Sequence, residues 1–191
     1  MLRTMTASVA RSLLAGLAAG VLASCAGPPA PVSQAERERA RAVLAPFKAE
    51  LLGALTAALA EGGPEAAIDV CRVRAPAIAA AASTEGVALG RTGVRLRNRA
   101  NAPQEWVKPL LAEYRTAPAD TTSRAVRLGD GSVGYVEPIH VKPLCLTCHG
   151  DDVAPALLAR IREAYPDDEA VGFRENDLRG LFWVELSGEG S

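Results

Sequence analysis

Ala125-Val126-Arg127-Leu128-Gly129-Asp130-Gly131-Ser132-Val133-Gly134-Tyr135-Val136 decides the fold class. Two short runs rich in strand-forming residues flank Gly-Asp-Gly-Ser, a turn composition, so the segment predicts a β-hairpin whose second arm runs on toward Val141. Farther along, Leu181 to Leu186 reads as a closing buried strand. Upstream, Val87, Leu89, Val94 and Leu96 sit among Arg91, Arg95 and Arg97, which suggests extended structure with one apolar face, although Gly90 and Gly93 weaken the pattern.

The remaining segments are helical. From Ser33, a plausible N-cap, to about Ala60, Val43, Phe47, Leu51, Leu55 and Leu59 repeat at i+4 beside Glu36, Arg37, Glu38 and Arg39. Gly62-Gly63-Pro64 ends that helix and starts a second, in which Ile68, Cys71, Ala75 and Ile78 form one stripe that Pro76 should kink or split. Short helices are expected from about Pro103 to Tyr114 and from Ala154 to Tyr165, where Pro166 stops the chain. Two N-terminal helices followed by short strands and helices make an α+β domain with an antiparallel sheet, expected over residues 33–187, with 188–191 as a tail.

With 191 residues, 49% hydrophobic and 23% charged, the chain suits one globular domain. A net charge of −1 supplies no positive field for phosphate backbones, so no nucleic-acid partner is expected. Aromatic residues are only 4%, so the core is either aliphatic or completed by a group that is not protein.

The first residues read as an address. Arg3 and Arg11 form a basic region, Leu13 to Ala23 is an apolar run too short to span a bilayer, and small residues follow. Leu22-Ala23-Ser24-Cys25 resembles the lipobox of bacterial lipoproteins, which implies a signal peptide over 1–24 and lipidation of Cys25. Ordinary secretion is the alternative. Residues 25–32 then form a Pro-rich tether, so the membrane is met only through the lipid. Ala26, where aspartate would favour inner-membrane retention, implies a periplasm-facing protein of the outer membrane.

Cys145-Leu146-Thr147-Cys148-His149 carries the chemistry. C-x-x-C-H is the attachment pattern of c-type haem: two thiols add to the two vinyl groups, and the adjacent histidine ligates the iron. A thioredoxin-like pair, half of a zinc site and a structural disulfide compete. The first lacks a βαβ unit, zinc lacks an evident fourth ligand, and export favours haem. One covalent haem c is therefore expected on Cys145 and Cys148, with His149 as proximal ligand.

The opposite axial position is open on inventory. Both methionines, Met1 and Met5, fall in the signal peptide. His140, Cys71, a lysine, a tyrosine or an open site remain. His140 alternates with Ile139 and Val141 and reads as a partly exposed strand residue. Cys71 is an unpaired cysteine in an oxidising compartment, either a ligand or an inert buried hydrophobe.

Several blocks resemble a bacterial family of exported c-type haem proteins with a PAS-like fold, the Tll-like haem family. They are Ala67-Ile68-Asp69-Val70-Cys71, the run from Arg97 to Pro103, the run from Lys142 to Gly150, Tyr165-Pro166-Asp167-Asp168 and Asn176-Asp177-Leu178-Arg179-Gly180. The resemblance implies a PAS-like sheet with N-terminal helices, haem on Cys145, Cys148 and His149, and Cys71 as the distal axial ligand. Arg99 stands where the family pattern has proline after Arg-Asn. Arg97 and Arg179 are candidates for haem propionate contacts, with solvated surface arginines as the alternative.

Two functions follow: a redox- or ligand-responsive sensory haem domain that meets a diatomic gas, or a low-potential electron carrier that meets a redox partner protein. Enzymatic turnover is not expected, because no distal acid/base histidine is evident once His140 is set aside.

Overall fold

A computed structural model describes residues 30–188. The chain begins with α1 (Gln34–Asp69), followed by a π-helical turn (Val70–Arg74) and α2 (Ala75–Ala82). Ser33 caps α1 through a reciprocal box: its hydroxyl accepts from the Glu36 N–H at 3.3 Å, and its own N–H donates to the Glu36 carboxylate at 2.8 Å. Gly63, at φ 68°, breaks the helical path inside α1 where Gly62-Gly63-Pro64 predicted a boundary.

The buried stripe of α1 is Ala40, Leu44, Phe47, Leu51 and Ala54, not the strict i+4 series. A step of four residues drifts by about 40° around a 3.6-residue helix, so only alternating steps of four and three hold one face. The second predicted stripe is likewise divided. Ile68 packs against Leu157 and Ile161, whereas Ala75 and Ile78 join the α1 core, and Cys71 between them is only partly buried. The π turn adds a residue to the helical turn and rotates the faces apart. The predicted helix is divided directly before Pro76, which lies in the first turn of α2.

Four strands follow: β1 (Val87–Gly93), β2 (Arg124–Arg127), β3 (Val133–His140) and β4 (Leu178–Leu186). They form an antiparallel sheet in the order β1-β4-β3-β2, which bears out the α+β class. Leu89, Tyr135 and Val184 face α1, while Val136, Leu181 and Trp183 face α3 (Val107–Thr116). The sheet is thus covered on both sides.

The glycines that weakened β1 in the sequence have partners in space. A Cβ at Gly90 would lie 2.8 Å from the Trp183 ring, and one at Gly93 would lie 2.4 Å from the Arg179 guanidinium. Each vacancy seats a large side chain on the strand. Trp183 then meets Trp106 edge to face, with centroids 6.3 Å apart.

Candidate functional site

Cys145, Cys148 and His149 lie on α4 (Pro143–His149), a two-turn helix that the sequence reading left unassigned. Pro143 opens it, and Gly150 closes it in extended conformation. The two cysteines are three residues apart, hence on one helical face, and both carry free thiols. Cys145 packs toward Val141, Ala170 and Phe173, and Cys148 toward the cluster of Ile68, Leu157, Ile161 and Tyr165 around α5 (Pro155–Ala164).

The His149 ring is held on two sides. Its Nδ1–H donates to the Ala170 carbonyl at 2.6 Å, and the Phe173 ring stands edge-on at 6.4 Å. Burial, then Arg179, Arg97 and Arg91, push its pKa down to about 2, so the imidazole is neutral. With Nδ1 protonated, Nε2 keeps its lone pair. This is the arrangement of a histidine oriented to ligate a metal.

Arg97 builds that platform. Its guanidinium grips both Asp168 oxygens, at 3.1 and 3.2 Å, and also donates to the Cys148 carbonyl at 2.6 Å and the Ala170 carbonyl at 3.3 Å. The pair is nearly enclosed, with side-chain exposures of 10% and 2%. Arg97 is therefore neither a solvated surface residue nor free of a carboxylate: it locks the end of α4 to the 168–170 segment. Asp168 also accepts the Ala170 N–H at 2.9 Å, which fixes the carbonyl that orients His149.

Arg179 donates to the Arg95 carbonyl at 3.0 Å and lies 5.2 Å from the centre of the Phe173 ring, with Arg95 stacked on the same ring at 3.8 Å. Burial, reinforced by Arg91 and Arg97, pulls its pKa down to about 10. Arg91, which the sequence reading did not single out, has no carboxylate partner among the described residues. It lines a cavity of 240 Å³ with Cys71, Phe47, Leu89, Gln104 and Trp183. The charges of Arg179, Arg97 and Arg91 all disfavour protonation of His149, and of the three only Arg97 has a carboxylate partner among the described residues, Asp168. Such a field favours an anion.

Cys71 enters the same neighbourhood from the π turn. Its thiol is within electrostatic range of Cys148 and of the Tyr165 hydroxyl. Burial pushes the Cys148 thiol above its ordinary range and raises Tyr165 to about 12. His140 is engaged elsewhere: its Nε2 lies 2.9 Å from the Pro118 carbonyl. Cys25 and the signal peptide lie outside the described residues.

Among the described residues, no three His, Cys, Asp or Glu side chains come together closely enough to hold a bare metal ion. The fourfold zinc alternative therefore has no geometric support. Two thiols on one helix face, a neutral imidazole with a free Nε2, a third thiol nearby and a cationic rim instead suit a large anionic metal complex.

Comparison with known proteins agrees with this architecture. The family model described as Tll0287-like matches residues 18–187. The crystal structure of the cyanobacterial heme-protein Tll0287 superposes with a TM-score of 0.60 at 22% identity, covering 84% of this chain and 99% of that one. No curated protein matches the chain.

Proposed function

Because the chain belongs to the Tll0287-like family, we propose that it is an exported protein carrying one covalent c-type haem. The observation that carries this reading is the His149 ring, whose Nδ1–H is tied to Ala170 so that Nε2 is presented beside two free thiols. That the solved relative is a haem protein supports it further.

Cys145 and Cys148 each add across one vinyl group: a carbon–sulfur bond forms, the thiol hydrogen passes to the other vinyl carbon, and nothing leaves. His149 is the proximal ligand. When bound, haem supplies a one-electron ferric/ferrous couple and an axial position at which a diatomic gas can compete. Arg91 and Arg179 balance the propionates, while Arg97, already engaged by Asp168, holds the ligating helix in place.

Cys71 is the distal ligand, as thiolate. Coordination to ferric iron offsets the charge that burial alone would disfavour, and its donation lowers the potential. Its place in a π-helical turn supports a functional role, since such turns are frequent at functional sites. We read the protein as a sensory haem domain that answers redox change or a gas. Lipidation of Cys25 would anchor it to the periplasmic side of the outer membrane.

The test is the ferric spectrum and midpoint potential of two variants. Cys71→Ala shifts the spectrum and raises the potential, while His140→Ala leaves both nearly unchanged. An altered centre in the His140 variant with an unaltered one in the Cys71 variant reverses the assignment.

A further inference from the structure

The cavity that Cys71 lines runs along β1, the end strand of the sheet. Phe47 of α1 and Ala75 of α2, with Leu89 and Trp183 of the sheet, give it apolar walls. Its other side is the segment from Asn98 to Gln104, which contains a 3-10 turn (Arg99–Asn101). The backbone holds that segment in place. The Ala102 N–H donates to the Arg99 carbonyl at 3.1 Å, and the Gln104 carbonyl accepts from the Val107 N–H at 2.9 Å, at the start of α3.

The polar groups on this lining suit a carboxylate. Among the described residues that line the cavity, Arg91 is the only charged one, and no aspartate or glutamate is present. Asn98 is fixed in orientation: its side chain accepts the Ala100 N–H at 2.9 Å, and only the carboxamide oxygen can accept. Its NH2 end therefore keeps both hydrogens for another acceptor.

We propose that Arg91 and the Asn98 carboxamide together bind a haem propionate in this cavity. The assignment rests on the reading of Cys145, Cys148 and Cys71 given above. Haem carries its two vinyl groups and its two carboxylates on opposite edges of the porphyrin. The vinyl edge belongs at Cys145 and Cys148, neither of which lines the cavity, whereas Cys71, the ligand at the iron, does. With the thioethers at α4 and the iron at Cys71, the carboxylate edge is directed onward to Arg91 and Asn98. At 240 Å³ the cavity is smaller than the roughly 300–1,000 Å³ that encloses a whole drug-sized ligand, so it seats one edge of the porphyrin. A guanidinium meets a carboxylate with two parallel N–H donors, and the amide adds a third.

The test uses the full-length protein matured with its haem. In Asn98→Asp a carboxylate oxygen still accepts the Ala100 N–H, so the turn is kept while a donor becomes a negative charge facing the propionate. Resonance Raman reads the result. The propionate bending band should shift in Asn98→Asp and in Arg91→Met, with the covalent mass unchanged. Arg99→Met removes an exposed charge from the same turn, one paired with Asp167 and Glu169, and should leave the band in place. A band that stays put in both Asn98→Asp and Arg91→Met, or moves as far in Arg99→Met, overturns the proposal and leaves the covalent haem standing. Unmutated protein without covalent haem refutes the function proposed above, and this site falls with it. A crystal structure of the unmutated, haem-loaded protein needs no variant to fold. Hydrogen bonds from Arg91 and Asn98 to one propionate are the expected result, and propionates out of reach of both residues overturn the assignment.

Discussion

Replacing Arg97 by Met removes the guanidinium and leaves a carbon stem of similar reach. It strands Asp168, whose side chain is only 2% exposed, and removes the donor to the Cys148 carbonyl at 2.6 Å. Breaking a buried ion pair from one side costs about 3–5 kcal/mol, because the surviving charge loses its partner without regaining water. The lost carbonyl contacts belong to the same network and are not added separately. For a chain of this size, that loss lowers the midpoint of thermal unfolding by roughly 6–20 °C. Arg97→Lys should recover little, since an ammonium cannot span both Asp168 oxygens and two carbonyls at once. Urea titration of Arg97→Met, Asp168→Asn and the double variant reads the coupling: the double variant should be less destabilised than the sum of the singles. A loss under about 1 kcal/mol in Arg97→Met would place the residue among ordinary surface positions and refute the platform built for His149.

Two further outcomes follow from the fold. Glu36 is held at about 2, against an ordinary 4.5, first by the Arg127 hydrogen bond and then by Ser33. Its stabilisation is therefore full above the ordinary value and fades as pH falls toward 2, so Glu36→Gln should flatten the acid limb of a stability–pH curve only in that window. At Gly180, a Cβ would lie 1.9 Å from the Thr92 carbonyl oxygen on the paired strand, so Gly180→Ala should abolish soluble, folded protein, as read by circular dichroism. A folded Gly180→Ala variant would contradict the β1–β4 register.

Local chemistry made much of this fold legible before the structure. Gly129-Asp130-Gly131-Ser132 marked the hairpin, Ser33 the start of α1 and Gly62-Gly63-Pro64 the kink. What sequence spacing missed depended on distant partners. The glycines of β1 looked unfavourable because Trp183 and Arg179, which occupy their missing Cβ positions, come from β4, about ninety residues later. The π turn was hidden because one added residue in a helix leaves no compositional trace.

The site divided in the same way. Cys145, Cys148 and His149 stood out because they are contiguous and their chemistry fixes their spacing. Arg91 looked like one more strand arginine, and its lack of an acidic partner is visible only in three dimensions. Arg97 was singled out for a propionate, but the fold gives its carboxylate contact to Asp168, 71 residues away.

The proposed function requires one haem bound through carbon–sulfur bonds to Cys145 and Cys148. The direct measurement is acid-acetone extraction of the protein matured with c-type attachment machinery, followed by intact-mass determination of the chain. Colour should stay with the polypeptide, its mass should rise by that of one haem, and changing both cysteines to Ala should abolish the increase. Haem that extracts freely, or a mass increase that survives loss of both cysteines, would contradict it.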